Sequence, residues 1–203
     1  MASVTQSFVL PKIVKVACIG DSITERSGYP FKLQLLLGSN YNVVNFGVSG
    51  STASVNSNIS YMNQAAFQRA LDFKPDFVIV MLGTNDANRA TCNDTDISDD
   101  YLQIVTAFQS LQSNPEIVAV DSPPIYSNYS GYNNTYLATN IIPRINVVAD
   151  EMSIPTVDMY DTMNSAGYFA DGIHPNDNGS TVLAGTLYDA VQQYYDPTND
   201  PYL

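Results

Sequence analysis

Five short runs of β-branched and apolar residues punctuate this chain, and between them lie stretches whose apolar residues recur at helical spacing. Strands are expected over 13–19, 42–46, 76–82, 116–121 and 156–158. Helices are expected over 29–37 and 63–73. Tyr101, Ile104, Val105, Phe108 and Leu111 mark a third, Ile141, Ile145 and Val148 a fourth, and Leu183, Leu187 and Val191 the last. Strands apolar throughout are buried on both faces, and strands alternating with helices are joined by right-handed crossovers. The pattern therefore predicts an α/β fold, a three-layer α/β/α sandwich around a five-stranded parallel sheet. A chain of 203 residues without internal repeat or linker fits one domain over 1–203. The polar stretch 122–139 reads as a long surface loop.

Charge excludes some partners. Eight Lys plus Arg against 20 Asp plus Glu give a net charge of -12, which repels phosphate backbones and anionic membranes, so no nucleic-acid partner is expected. Cys18 and Cys92 lack zinc or redox spacing and read as free thiols. In residues 1–12 only Phe8, Val9 and Leu10 form an apolar run, too short for a signal-peptide core or a membrane span. No export signal is visible, and neither cellular location nor oligomeric state is legible.

In parallel sheets the loops leaving the carboxyl ends of the strands converge on one edge, where ligands bind. Three polar motifs fall there: Gly20-Asp21-Ser22, Gly47-Val48-Ser49-Gly50 and Gly83-Thr84-Asn85-Asp86. Ester cleavage by a serine needs a hydroxyl nucleophile, a base within reach and donors aimed at the oxyanion that forms. Ser22, at a strand-to-helix junction with an exposed side chain and a free backbone N–H, suits both attack and donation. Gly50 lets its N–H approach the same oxygen, and Asn85 offers a side-chain amide. His174 is the only histidine, the residue type that most often serves as a base near neutral pH. Asp171 stands three residues before it, close enough for a turn to bond carboxylate to imidazole.

These blocks resemble the SGNH hydrolases, the GDSL esterase and lipase family. They run in order from Gly20-Asp21-Ser22-Ile23-Thr24, with Ile23 where the older family name has leucine, through Asn45-Phe46-Gly47-Val48-Ser49-Gly50 and Gly83-Thr84-Asn85-Asp86 to Asp171-Gly172-Ile173-His174-Pro175. The resemblance implies a flavodoxin-like α/β/α sandwich. It also implies catalysis by Ser22, Asp171 and His174 and an oxyanion hole of Ser22, Gly50 and Asn85. The second and third blocks look most like members that remove acetyl groups from carbohydrates. The expected activity is thus hydrolysis of short-chain carboxylic esters through an acyl-enzyme on Ser22, on a small-molecule or carbohydrate ester, with no metal or organic cofactor.

Alternatives are a lysophospholipase or thioesterase acting on longer acyl chains, and an inactive carbohydrate-binding relative. A nucleotide-binding Rossmann protein would share the sheet, but the chain lacks a Gly-x-Gly-x-x-Gly fingerprint and a phosphate-loop lysine. Asp21 and Asp86 read as loop-holding carboxylates, and Ser49 as a weaker rival nucleophile. Tyr126, Tyr129 and Tyr132 are surface aromatics by default, or lining for a cleft.

Overall fold

The computed structural model describes residues 12–93, 96–127 and 131–196. The apolar run at 8–10 and Tyr129 lie outside them. The five apolar runs form β1 (Val14–Gly20), β2 (Tyr41–Asn45), β3 (Phe77–Met81), β4 (Glu116–Val120) and β5 (Thr156–Val157). All pair in parallel in the order β2-β1-β3-β4-β5. The chain steps from β1 to β2 on one side, then crosses back to β3 on the other. That reversal opens a crevice at the carboxyl ends of β1 and β3.

Side chains alternate across the pleat, so each strand feeds two cores. Ala17, Ile19, Val78, Val80, Ile117 and Ala119 face a layer closed by α3 (Ala65–Phe73), α4 (Ser98–Gln109) and α6 (Ile142–Glu151), which contribute Phe67, Tyr101, Phe108 and Ile145. Val16, Cys18, Phe77, Ile79, Met81, Val118 and Val120 face the other, closed by α2 (Tyr29–Leu37) and α8 (Asp177–Tyr194) through Tyr29, Leu33, Leu183 and Leu187. The result is the expected three-layer α/β/α sandwich. Burial of each such large side chain contributes about 1.5–3 kcal/mol. Both cysteines are buried, and neither is joined in a disulfide. No helix of the described residues is long and apolar enough to cross a membrane.

Shorter helices complete the edges: α1 (Ser22–Arg26), α5 (Asn134–Tyr136) and α7 (Met159–Thr162). At its two ends the stretch 122–139 departs from the surface loop expected of it. Ser122 and Ile125 are buried, and from Asn134 the chain is helical, passing through a π-turn at Leu137–Ile141 into α6. Polar loops stay at the surface when their backbone groups need water. Here the partners are internal. Pro123 and Pro124 have no N–H to satisfy, Ser122 Oγ donates to the Leu82 carbonyl at 3.1 Å, and the Ile125 N–H donates to Asn134 Oδ1 at 2.7 Å.

Candidate active site

Ser22 is the first residue of α1, directly after β1. Asp21 caps that helix, its Oδ1 accepting the Ile23 N–H at 2.8 Å. Asp171 and His174 lie on the turn before α8. Asp171 Oδ1 takes the N–H groups of Ile173 and His174, at 3.0 and 2.7 Å, while Oδ2 lies 2.7 Å from His174 Nδ1. Burial pushes this carboxyl up, but the His174 backbone and ring N–H groups and the Ile173 N–H outweigh it and hold Asp171 at about 2. An ionised carboxylate accepts only, so it holds the Nδ1 proton and leaves Nε2 as the basic nitrogen. Nε2 lies 2.9 Å from Ser22 Oγ. The Ser22 side chain is less exposed than the sequence suggests, at 9%, because the imidazole lies against it.

The other predicted residues meet at the same edge. Among the described residues no acceptor takes the backbone N–H of Ser22 or of Gly50. Gly50 sits at φ +79°, a conformation strained for any residue with a Cβ. Asn85 is buried. Its Nδ2 donates to the Ser51 carbonyl at 3.0 Å and, over a longer 3.3 Å, to Asp21 Oδ2, while its Oδ1 accepts from the Tyr132 hydroxyl at 2.8 Å.

Asp21 and Asp86 hold loops, as expected. Asp86 accepts the Ser54 and Ala53 N–H groups at 2.9 and 3.1 Å, which ties the loop after the second block to the third. Burial, aided by the nearby Asp86 charge and opposed by the Ile23 N–H, pushes Asp21 up to about 7. Ser49 hydrogen-bonds through both its hydroxyl and its N–H to the Glu25 carboxylate, while the single histidine is engaged by Ser22. Tyr126 is a partly exposed surface residue that donates to Asn164 at 3.2 Å.

Gly50, Asn85 and Tyr132 also line a cavity of about 200 Å³, whose wall includes Thr52, Asn58, Ile59, Asn88 and Thr91 and, among the described residues, holds no charged side chain. Sequence reasoning assigned none of those last five to the site. Asn88 carried a faint signal, three residues after Asn85, whereas nothing local in the 52–59 segment points to a cavity wall.

A parallel sheet whose carboxyl edge brings a serine, a histidine and a carboxylate into one hydrogen-bonded line is the arrangement implied by the sequence blocks. The profile of the GDSL-like lipase/acylhydrolase family matches residues 18–182, and the chain belongs to that family. It is 30% identical over 207 residues to an acetylxylan esterase of Xylanibacter ruminicola, covering 88% of this chain and 43% of that protein. It is 26% identical over 149 residues to a GDSL esterase/lipase of Arabidopsis thaliana, covering 63% of this chain and 58% of that protein. The chain thus spans about half the length of these relatives. Its fold superposes on a carbohydrate acetylesterase from Sinorhizobium meliloti with a TM-score of 0.74 at 19% identity, over 89% of this chain and 99% of that one. For an aryl esterase from M. smegmatis the TM-score is 0.68 at 18% identity, over 89% and 99% of the two chains.

Proposed function

We propose that residues 1–203 form a single-domain serine esterase that hydrolyses short-chain carboxylic esters, O-acetyl groups on carbohydrates above all. The observation that carries this reading is the line from Asp171 through His174 to Ser22, with 2.7 and 2.9 Å contacts, beside two N–H groups that no described residue accepts. His174 Nε2 takes the Ser22 proton as Oγ bonds to the ester carbonyl carbon. The oxyanion is held by the Ser22 and Gly50 N–H groups and by Asn85 Nδ2, which exchanges its long 3.3 Å bond to Asp21 Oδ2 for the developing charge while keeping the Ser51 carbonyl. Collapse breaks the bond to the alcohol, which leaves with the proton from His174. Water, deprotonated by the same nitrogen, then attacks the acyl-enzyme and releases the acid, and Ser22 recovers its proton. No step calls for a cofactor.

Cavity size and chemistry support the substrate class. About 200 Å³ is below the roughly 300–1,000 Å³ of pockets for drug-sized ligands, which favours a short acyl group over a long chain. Its described lining sets apolar surface, with Ile59 and the Tyr132 ring, beside the amides of Asn58 and Asn88 and the hydroxyls of Thr52 and Thr91, a mixture that suits the apolar and hydroxyl faces of a neutral sugar. The name of the Xylanibacter ruminicola relative, an acetylxylan esterase, points the same way.

The experiment is turnover of p-nitrophenyl esters from acetate to octanoate beside acetylated xylose oligomers, with fluorophosphonate labelling of Ser22. We expect acetyl esters to be fastest and Ser22→Ala to fall by about 10⁴-fold or more. A Ser22→Ala protein keeping more than about a tenth of the rate removes the serine mechanism. Octanoate outpacing acetate transfers the protein to the long-chain readings, and absence of both turnover and labelling makes it a binding relative.

A further inference from the structure

Tyr132 comes from the segment between β4 and α5, far in sequence from every block, yet its hydroxyl donates to Asn85 Oδ1 at 2.8 Å. An asparagine amide presents an acceptor at one end and donors at the other, and half a turn of its terminal torsion exchanges them. For Asn85 both ends are specified. The Ser51 carbonyl can only accept and takes one Nδ2 hydrogen at 3.0 Å, the other reaches Asp21 Oδ2 over a longer 3.3 Å and is the one an oxyanion would take over, and Tyr132 donates to Oδ1. A flipped amide would set oxygen against the carbonyl oxygen and cost Tyr132 its acceptor. Burial pushes the Tyr132 hydroxyl above the ordinary phenol value, which keeps it a neutral O–H donor at neutral pH. Donation into the amide oxygen also polarises the amide and strengthens its N–H groups.

The backbone fixes Tyr132 relative to Asn85 as well. The Arg89 N–H donates to the Gly131 carbonyl at 2.7 Å and the Asn133 N–H to the Ala87 carbonyl at 3.2 Å, so main-chain bonds flank the tyrosine on both sides. Gly131 sits at φ +94°, and a Cβ there would lie 2.1 Å from Asn88 Oδ1, so this close approach requires glycine.

We propose that Tyr132 is a positioning residue for ester hydrolysis, holding the Asn85 amide with Nδ2 presented to the oxyanion. This rests on the serine-esterase reading above, in which Asn85 donates to that oxygen.

Tyr132→Phe tests it, because the ring and the loop stay and only the hydroxyl goes. With p-nitrophenyl acetate we expect kcat to fall about 5- to 30-fold, the rate equivalent of one hydrogen bond, while KM changes less than about twofold. In an Asn85→Ala background the same substitution should cost less than about twofold, since there is no amide left to orient. A Tyr132→Phe rate within about twofold of wild type overturns the proposal, and so does a loss that persists in full in the Asn85→Ala background, which would mark a role in loop structure. Ser22→Ala run in parallel separates the two layers. If it stays active, the serine reading falls and takes this proposal with it; if it is dead and Tyr132→Phe is neutral, only the proposal falls.

Discussion

His174 Nε2 lies 2.9 Å from Ser22 Oγ across 152 positions of sequence. The contact exists because β1 ends at the crevice where the sheet order reverses and the turn before α8 arrives at the same edge. Asp171 fixes the imidazole from behind, its carboxylate engaged by three N–H groups of its own turn, so the geometry is set by local bonds on one side and by the sheet on the other.

Asp171→Asn should reduce kcat by about 10²- to 10⁴-fold, since the amide can pair with Nδ1 in the wrong tautomer. The carboxyl is depressed to about 2, so its stabilising contribution is present above the ordinary value of 3.8 and is lost as pH falls through about 2. The stability deficit of Asp171→Asn should therefore shrink as pH falls from about 4 toward 2. With the side chain 36% exposed, solvent screening keeps that deficit small. Thermal unfolding across this range, beside steady-state kinetics, checks both parts.

Asp21 behaves in the opposite sense. Raised to about 7 from 3.8, it binds its proton more tightly folded than unfolded, so its contribution is full below about pH 4 and declines as pH rises toward 7. Asp21→Asn keeps a residue able to cap α1 and removes the titration. Wild type should gain stability relative to this variant on going from pH 8 to pH 5, by at most about 1.4 kcal/mol per unit within the window. Denaturant unfolding at the two pH values measures it, and an unchanged difference would contradict the buried-proton account.

Gly50→Ala should lower ester turnover by at least about tenfold, because a residue at φ +79° with a Cβ is strained by about 1–2 kcal/mol and relaxes by moving its own N–H. The new Cβ would also lie 3.2 Å from Ile59 Cδ1, at the cavity wall. Kinetics and a melting curve together separate the local loss from general unfolding, since the melting temperature should fall by only about 2–8 °C.

Asp86→Ala should destabilise the fold by about 2–4 kcal/mol, because the buried Ala53 and Ser54 N–H groups each lose their acceptor. Asp86→Asn, which keeps one accepting oxygen, should fall between it and wild type. Denaturation midpoints rank the three.

The β-runs, the helical periodicities and the glycine-rich turns after three strands are local patterns, so the layered α/β/α fold and the loops at its carboxyl edge could be read from the residues in order. Ser22, Gly50, Asn85, Asp171 and His174 stood out as candidates in the same way, because each sits in a short block whose residue types suit one task. The burial of Ser122 and Ile125 could not be read, since it depends on acceptors and donors such as the Leu82 carbonyl, 40 positions from Ser122. The link from Tyr132 to Asn85 spans 47 positions, and the cavity wall is gathered from separate loops. Periodicity and turn chemistry act between near neighbours, and the sequence alone determined what they govern: the layers and the blocks. Which polar groups are buried, and which side chain holds which, was decided only by tertiary structure, because those contacts form between segments that nothing but the folded sheet brings together.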